Sequence, residues 1–464
     1  MRRYYFYCIA LILMAGASSA MIALRTRVDA NPDEIYHLDA FCYFENHWWY
    51  PQFKASGFRY SPYGVARVFK PEVVYWLYGR VGSAIKPIAN RIVYELAQHI
   101  HKPAFYKKDY RTYFPLIASD NYCRTIVQVY RLQNVFLFLV TLSVLFWVGK
   151  NNRWAFAIGI ILICIPQVIY IFSYANSDAW GLSFSIFLVL FALVEQNPFS
   201  SIKKTILLSL LTGAVLLSKE NYWLSIAFSY ALIGYRVRKS LCKKALKTSQ
   251  SRYLIRNIAV LSGIVFIIIS PVLIIYPLTQ HIGPRSGKIL LARMDKEKAA
   301  PEYDPDSPIA PGLRLMSRGA SFNQIWENTY WWELSLKSFY GLFGYMNTPS
   351  PDFAYRLALI LAIANILLTL IIVMQHWSTL PDLIRLTFIL SPLVIILSIA
   401  LTLYNSWVAD FQPQGRYIFP ALFAFAFLTW GTIEVESSMV RIFRIISVLI
   451  LIPLSIFILR FYVV

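Results

Sequence analysis

Runs of about 20 apolar residues recur along this chain, the length a helix needs to cross a bilayer core. Eleven can be read, roughly 4–24, 129–149, 154–174, 179–195, 202–218, 221–235, 257–278, 356–375, 384–404, 417–434 and 442–462. A soluble fold of 464 residues could not hide them: 58% of the chain is hydrophobic and 15% charged, against roughly 25% charged in a soluble domain. Inside lipid every backbone polar group must be satisfied within its own segment, so the runs predict helices and an all-α polytopic membrane protein in a single domain, 1–464. The pair 202–218 and 221–235 reads either as two spans or as one reentrant hairpin. A net charge of +20 would suggest nucleic acid in a soluble protein. Here basic loops on the cytoplasmic side explain it, and no nucleic-acid partner is expected.

The lysines and arginines set the orientation. With Arg2 and Arg3 inside, alternation also puts Lys150/Arg153, Lys203/Lys204 and Arg441/Arg444 inside. The segment 236–256 falls there too, with Arg236, Arg238, Lys239, Lys243, Lys244, Lys247, Arg252 and Arg256 and no acid. The N terminus is therefore expected in the cytoplasm and the C terminus outside. Met1-Arg2-Arg3, an apolar run and Ala17-Ser18-Ser19-Ala20 also fit a secretory signal. Apolarity through Met21 to Leu24 favours an uncleaved span, and either reading leaves the next segment outside.

Two large outside loops follow, 25–128 and 279–355, with short turns at 175–178, 219–220 and 405–416. In the first loop Val73, Leu77, Val81, Ile85, Ile88, Ile92 and Leu96 form an amphipathic stripe bent near Pro87, expected to lie along the membrane surface among lipids. The basic residues from Lys102 to Arg111 read as a solvated face or a lipid-phosphate site. Of five cysteines, only Cys42 and Cys123 share a loop and could pair there.

The first loop opens on Asn31-Pro32-Asp33-Glu34-Ile35-Tyr36-His37. As local structure this is a capping box with Asn31 as cap, Pro32 at the first helical position and Glu34 at the third. Acids in a first helical turn are favoured by the dipole alone. Yet Asp33 and His37, four apart, share a helix face. The helix starts at the membrane interface and runs into Phe41, Tyr43, Phe44, Trp48, Trp49 and Tyr50, aromatics suited to headgroup depth or to sugar rings.

A single span followed by a large outside loop that opens on Pro-Asp-Glu-x-x-His resembles the GT-C class of membrane glycosyltransferases, among them the protein O-mannosyltransferases and the lipid A aminoarabinose transferase. The chain is closer still to a bacterial polytopic membrane family without an assigned function. Pro32-Asp33-Glu34 with His37, Ala175-Asn176-Ser177-Asp178, Ser338-Phe339-Tyr340-Gly341 with Phe343-Gly344, and Gln414-Gly415-Arg416-Tyr417 carry that resemblance over most of the chain. It implies a GT-C-like fold in a bacterial inner membrane and a transferase using a polyprenyl-phosphate or diphosphate sugar. The acceptor would be an envelope glycan, glycolipid or protein. Asp33 inherits the role of catalytic base, Asp178 that of an assisting acid, and Tyr340 and Gln414 stand in matched motifs as substrate-binding candidates.

Alternation alone puts Asp33, Glu34, His37, Asp178, Lys219, Glu220 and Arg416 on the outside face. Transfer from a lipid phosphate needs a base near the acceptor hydroxyl and cations for the departing phosphate. Arg416 and Lys219 are the cation candidates, with Glu220 beside them. Bland readings stand next to each: a helix cap for Asp178, a polar turn for Lys219 and Glu220, an interfacial anchor for Arg416. No cofactor is evident. A divalent cation on Asp33 and Asp178, with Glu34 and His37, is the one metal site the pattern permits. A polysaccharide polymerase or ligase on the same face is the nearest alternative. A transporter of lipid-linked or polar substrates is the other, although ion-coupled transporters carry charge near mid-membrane. The middles of these spans hold Gln133, Asn134, Gln167 and Asn365, none of which titrates.

Overall fold

The computed structural model describes residues 2–26, 30–52, 57–70, 72–100, 127–243, 248–276, 284–304, 306–308, 312–328, 330–431 and 437–463. The basic stretch 102–111, Cys123 and the pair Lys244/Lys247 lie outside the described residues. The chain is mostly helical, and all eleven apolar stretches form helices. They are α1 (Arg2–Arg25), α4 (Val127–Gly149), α5 and α6 (Arg153–Cys164 and Pro166–Ile171), α7 (Asp178–Val194), α8 (Ile202–Leu216), α9 (Leu224–Lys243), α10 (Thr248–Ser270), α14 (Asp352–His376), α15 (Asp382–Val408), α16 (Leu422–Trp430) and α17 (Ser438–Val463). Five of these, α1, α4, α14, α15 and α17, are long and apolar enough to cross a membrane by length and composition. The others are shorter or carry more charge.

The stretch expected as one helix over 154–174 breaks at Ile165. Pro166 lacks an N–H and starts a new helix at its first turn. Residues 172–177 then leave helical geometry and form a turn that points into the site. In the 202–235 pair, α8 ends at Leu216, a 3-10 turn spans Glu220–Trp223, and α9 runs on to Lys243.

The first loop builds its own core. Helices α2 (Glu34–Asn46) and α3 (Val73–Ile100) pack against each other around Leu38, Phe41, Phe44, Val74, Tyr75 and Tyr78. Gly79 permits this approach, because a Cβ there would stand 2.5 Å from the carbonyl oxygen of Phe41. The apolar stripe on α3 leaves Val81, Ile85 and Ile88 exposed, as a surface meant for lipid would. Cys42 is disulfide-bonded, and Cys8 and Cys164 are free.

The second large loop docks on the first. Helix α11 (Pro284–Lys298) sets Asp295 3.2 Å from Lys70. The Ala300 N–H donates to the Pro62 carbonyl at 2.9 Å. Helices α12 (Phe322–Asn328) and α13 (Trp331–Tyr340) continue this loop, with the hairpin β1 (Leu342–Phe343) and β2 (Thr348–Pro349) after them.

Candidate active site

The opening of the first loop differs from the expected capping box. Helix α2 begins at Glu34, and its cap is Asp33 in the left-handed region (φ 58°, ψ 3°), with no side-chain cap bond. Aspartate tolerates that conformation better than most residues. Asn31 does not cap through its own side-chain oxygen. Its amide donates to Glu34 Oε2 at 2.8 Å, and Oδ1 accepts from the Tyr170 hydroxyl at 3.0 Å.

Glu34 is fully buried and fully engaged. Arg131 meets it in a fork, Nε to Oε1 at 2.7 Å and Nη2 to Oε2 at 2.6 Å. The Ala175 N–H adds a bond to Oε1 at 2.9 Å. Arg131 Nη1 also holds the carbonyls of Ala23 and Thr26 at the end of α1. The pair therefore ties α1, α2, α4 and the 172–177 turn together. Glu34, a catalytic candidate by sequence, works here as a clamp.

The turn before α7 is ordered by asparagines. Asn134 donates to the Tyr174 carbonyl at 2.6 Å, and Asn176 Oδ1 accepts from the Ala179 N–H at 3.0 Å. Asn176 thus serves the helix end that Asp178 was expected to cap. Asp178 is left free to turn toward Lys219, whose Nζ lies 2.8 Å from Oδ2, while its Oδ1 is buried without a hydrogen-bond partner.

Arg416 completes the group. It sits in the 3-10 turn Gly415–Ala421, which presses on α13 so closely that a Cβ on Gly415 would stand 2.1 Å from the Phe339 nitrogen. Its Nη2 is 4.0 Å from Asp33 Oδ2 and its Nη1 is 3.9 Å from Asp178 Oδ2. Both are charge contacts rather than hydrogen bonds. Among the described residues its side chain makes one hydrogen bond, to the Tyr174 hydroxyl at 3.2 Å, and Nε is buried with no partner. Asp33, Asp178, Lys219 and Arg416 thus converge from four separate stretches of the chain.

His37 lies behind this group, buried, with Nδ1 2.9 Å from the Tyr75 hydroxyl. Burial, and then the charges of Arg67, Lys219 and Arg416, hold its pKa well below the usual histidine value, so the ring is neutral. The other candidates have these surroundings. Glu220 is exposed at the start of its turn. Tyr340 packs in the main core, its ring 6.2 Å from that of Tyr355. Gln414 meets the turn through its backbone, its carbonyl accepting from the Tyr417 N–H at 3.1 Å.

Sequence reasoning passed over three participants. Arg67, in a short 3-10 turn before α3, donates to Asp33 Oδ2 at 3.1 Å. Tyr222 places a buried, unpartnered hydroxyl beside Asp178 and Arg416. Asp410 lies within electrostatic reach of Asp33. Burial raises its pKa to about 6, helped by the Asp33 charge and opposed by the Gln412 amide.

This donor set suits an anion better than a metal. Lys219 and Arg67 each occupy one oxygen of the two carboxylates expected to ligate, and a guanidinium stands between them. Among the described residues no group of three or more His, Cys, Asp or Glu is placed to share an ion.

One family of predicted membrane proteins, DUF2142, matches residues 117–424. The chain belongs to the DUF2142 family. The matched region contains Asp178, Lys219, Asp410 and Arg416, whereas Asp33 and Arg67 precede it. No curated protein matches the chain, and no solved structure does.

Proposed function

We propose that this protein is a membrane glycosyltransferase of GT-C type, with eleven spans and an active face outside the cytoplasmic membrane of a bacterium. It moves a sugar from a polyprenyl-phosphate or diphosphate donor to an envelope glycan, glycolipid or protein. The observation that carries this reading is the guanidinium of Arg416. It is buried between two carboxylates, hydrogen-bonded to neither, with an unpartnered Nε. A buried guanidinium with donors to spare is a ready partner for phosphate oxygens, which it can meet in a fork.

In this reading Arg416 and Lys219 receive the phosphate, and the lipid tail stays in the bilayer beside the bundle. As the bond from the anomeric carbon to the phosphate oxygen breaks, charge collects on the phosphate and is met by groups already in place. Arg67 holds Asp33 against the reacting centre. The proton leaves the acceptor hydroxyl for a carboxylate of the site, and the family resemblance points to Asp33. The donor set calls for no metal.

The test is a glycan mass profile of cells producing the wild type, Asp33→Asn or Arg416→Gln at matched protein levels. The reading predicts a product that depends on the wild type, is lost with Arg416→Gln and is reduced with Asp33→Asn. A product unchanged in both variants would sink it.

A further inference from the structure

The three carboxylates Asp33, Asp178 and Asp410 are not equivalent. Asp33 Oδ2 is bonded to Arg67 at 3.1 Å, and Asp178 Oδ2 is paired with Lys219 at 2.8 Å. Asp410 pairs with no cation among the described residues. Its side-chain partner is a neutral amide, Gln412 Nε2, which donates to Oδ2. Gln412 Oε1 in turn accepts from the Tyr417 hydroxyl. A chain of neutral groups therefore links Asp410 to the residue next to Arg416. Among the described residues only the Oδ2 oxygen of Asp410 is engaged in a hydrogen bond.

The position of Asp410 is fixed by backbone. Asp410 forms a β-bridge with Leu313, the Phe411 N–H donates to the Gly312 carbonyl at 2.8 Å, and the Arg314 N–H donates to the Ala409 carbonyl at 3.0 Å. Arg314, the cation closest in sequence to that bridge, points instead at Asp306 at 3.3 Å. From the first loop, Asp33 and Tyr63 lie within electrostatic reach of Asp410. Tyr63 lies within the same reach of Asp33 and Tyr417. Its ring meets that of Tyr303 at 4.6 Å between centroids, an aromatic wall that a sugar ring could cover.

We infer that Asp410, rather than Asp33, is the catalytic base that takes the proton from the acceptor hydroxyl. This rests on the transfer reading given above. The acceptor oxygen bonds to the anomeric carbon as its proton passes to Asp410 Oδ1. The bond from that carbon to the phosphate oxygen breaks, and its electron pair leaves with the phosphate toward Arg416 and Lys219. Asp33, held by Arg67, positions rather than accepts. A carboxyl raised to about 6 is still ionised at neutral pH and takes a proton more readily than an ordinary carboxylate. Its base form is lost as the outside pH falls through that value.

The experiment uses membranes from cells producing the wild type, Asp410→Asn or Asp410→Glu at matched levels. They are incubated with their own lipid-linked donors from about pH 5 to about pH 8, and the product is measured by glycan mass profiling. The inference predicts a wild-type rate that falls with a midpoint near 6. Asp410→Asn is about 100-fold slower or more, without that midpoint. Asp410→Glu retains activity with a displaced midpoint, which a merely structural role would not produce. Asp410→Asn matching the wild type in rate and pH curve overturns the base assignment and leaves the transfer reading standing. If no product depends on the wild type at any pH, both fall.

Discussion

Glu34→Gln is the substitution that most sharply separates chemistry from architecture at the first loop. Glu34 and Arg131 are both 0% exposed. Each glutamate oxygen accepts two donors: Oε1 from Arg131 Nε and the Ala175 N–H, Oε2 from Arg131 Nη2 and the Asn31 amide. Glutamine has the same shape but turns one of those acceptors into a donor, so either orientation forfeits two bonds and sets like groups against each other. It also removes the carboxylate charge that faces the buried Arg131 guanidinium. Breaking such a pair from one side costs about 3–5 kcal/mol. The measurement is thermal unfolding of the purified protein in detergent, followed by loss of monodisperse protein. A drop of several degrees is expected, at roughly 1–2 °C per kcal/mol when the handling of mid-sized domains is extended to a longer chain. The double variant Glu34→Leu with Arg131→Met should recover part of the loss, because neither charge then remains to be desolvated. Glu34→Gln melting within about a degree of the wild type, or losing product with its stability intact, would refute the clamp.

Other positions give further checks. Gly415→Ala puts a methyl carbon 2.1 Å from the Phe339 nitrogen, where backbone cannot yield cheaply. It should cost about 1–3 kcal/mol and displace Arg416, read as a lower melting temperature together with lost product. Asp39 is buried with Oδ1 unpartnered and Oδ2 bonded to the Arg59 N–H at 3.1 Å, and burial pushes its pKa up to about 7. A raised acid opposes folding once ionised, so its stability contribution is intact below the ordinary aspartate pKa and lost as pH rises through 7. Asp39→Asn should therefore melt higher than the wild type at about pH 8, and that gap should narrow at about pH 5. A gap that widens on acidification would reverse the sign.

Much of this arrangement was legible from spacing alone. Hydrophobic runs located the helical stretches, and alternating loops placed Asp33, Asp178, Lys219 and Arg416 on one face before any packing was known. What remained hidden depends on partners distant in sequence. Glu34 looks like a capping acid because its real partner, Arg131, lies 97 residues away. Arg131 itself was a signal: a charge at the start of an apolar run must find a partner. Arg67 and Asp410 sit in irregular segments without periodicity, so nothing local distinguishes them from surface charge. The break at Ile165 was readable from Pro166. The left-handed turn at Asp33 was not, since Asn31-Pro32 is equally good as a helix start. Tyr340 and Gln414 came from short motifs whose neighbours, Gly341 and Gly415, make the close contacts instead.

The most direct test of the central claim is whether the cluster holds a lipid phosphate. Native mass spectrometry of the full chain, titrated with a long-chain polyprenyl monophosphate and separately with the matching polyprenol, reads this without knowledge of the sugar. The account predicts one phosphate lipid retained per chain, weak or no retention of the alcohol, and at least about tenfold weaker phosphate binding in Arg416→Gln and Lys219→Gln, about 1.4 kcal/mol each. Equal retention of phosphate and alcohol, or phosphate binding unchanged in Arg416→Gln, would contradict it.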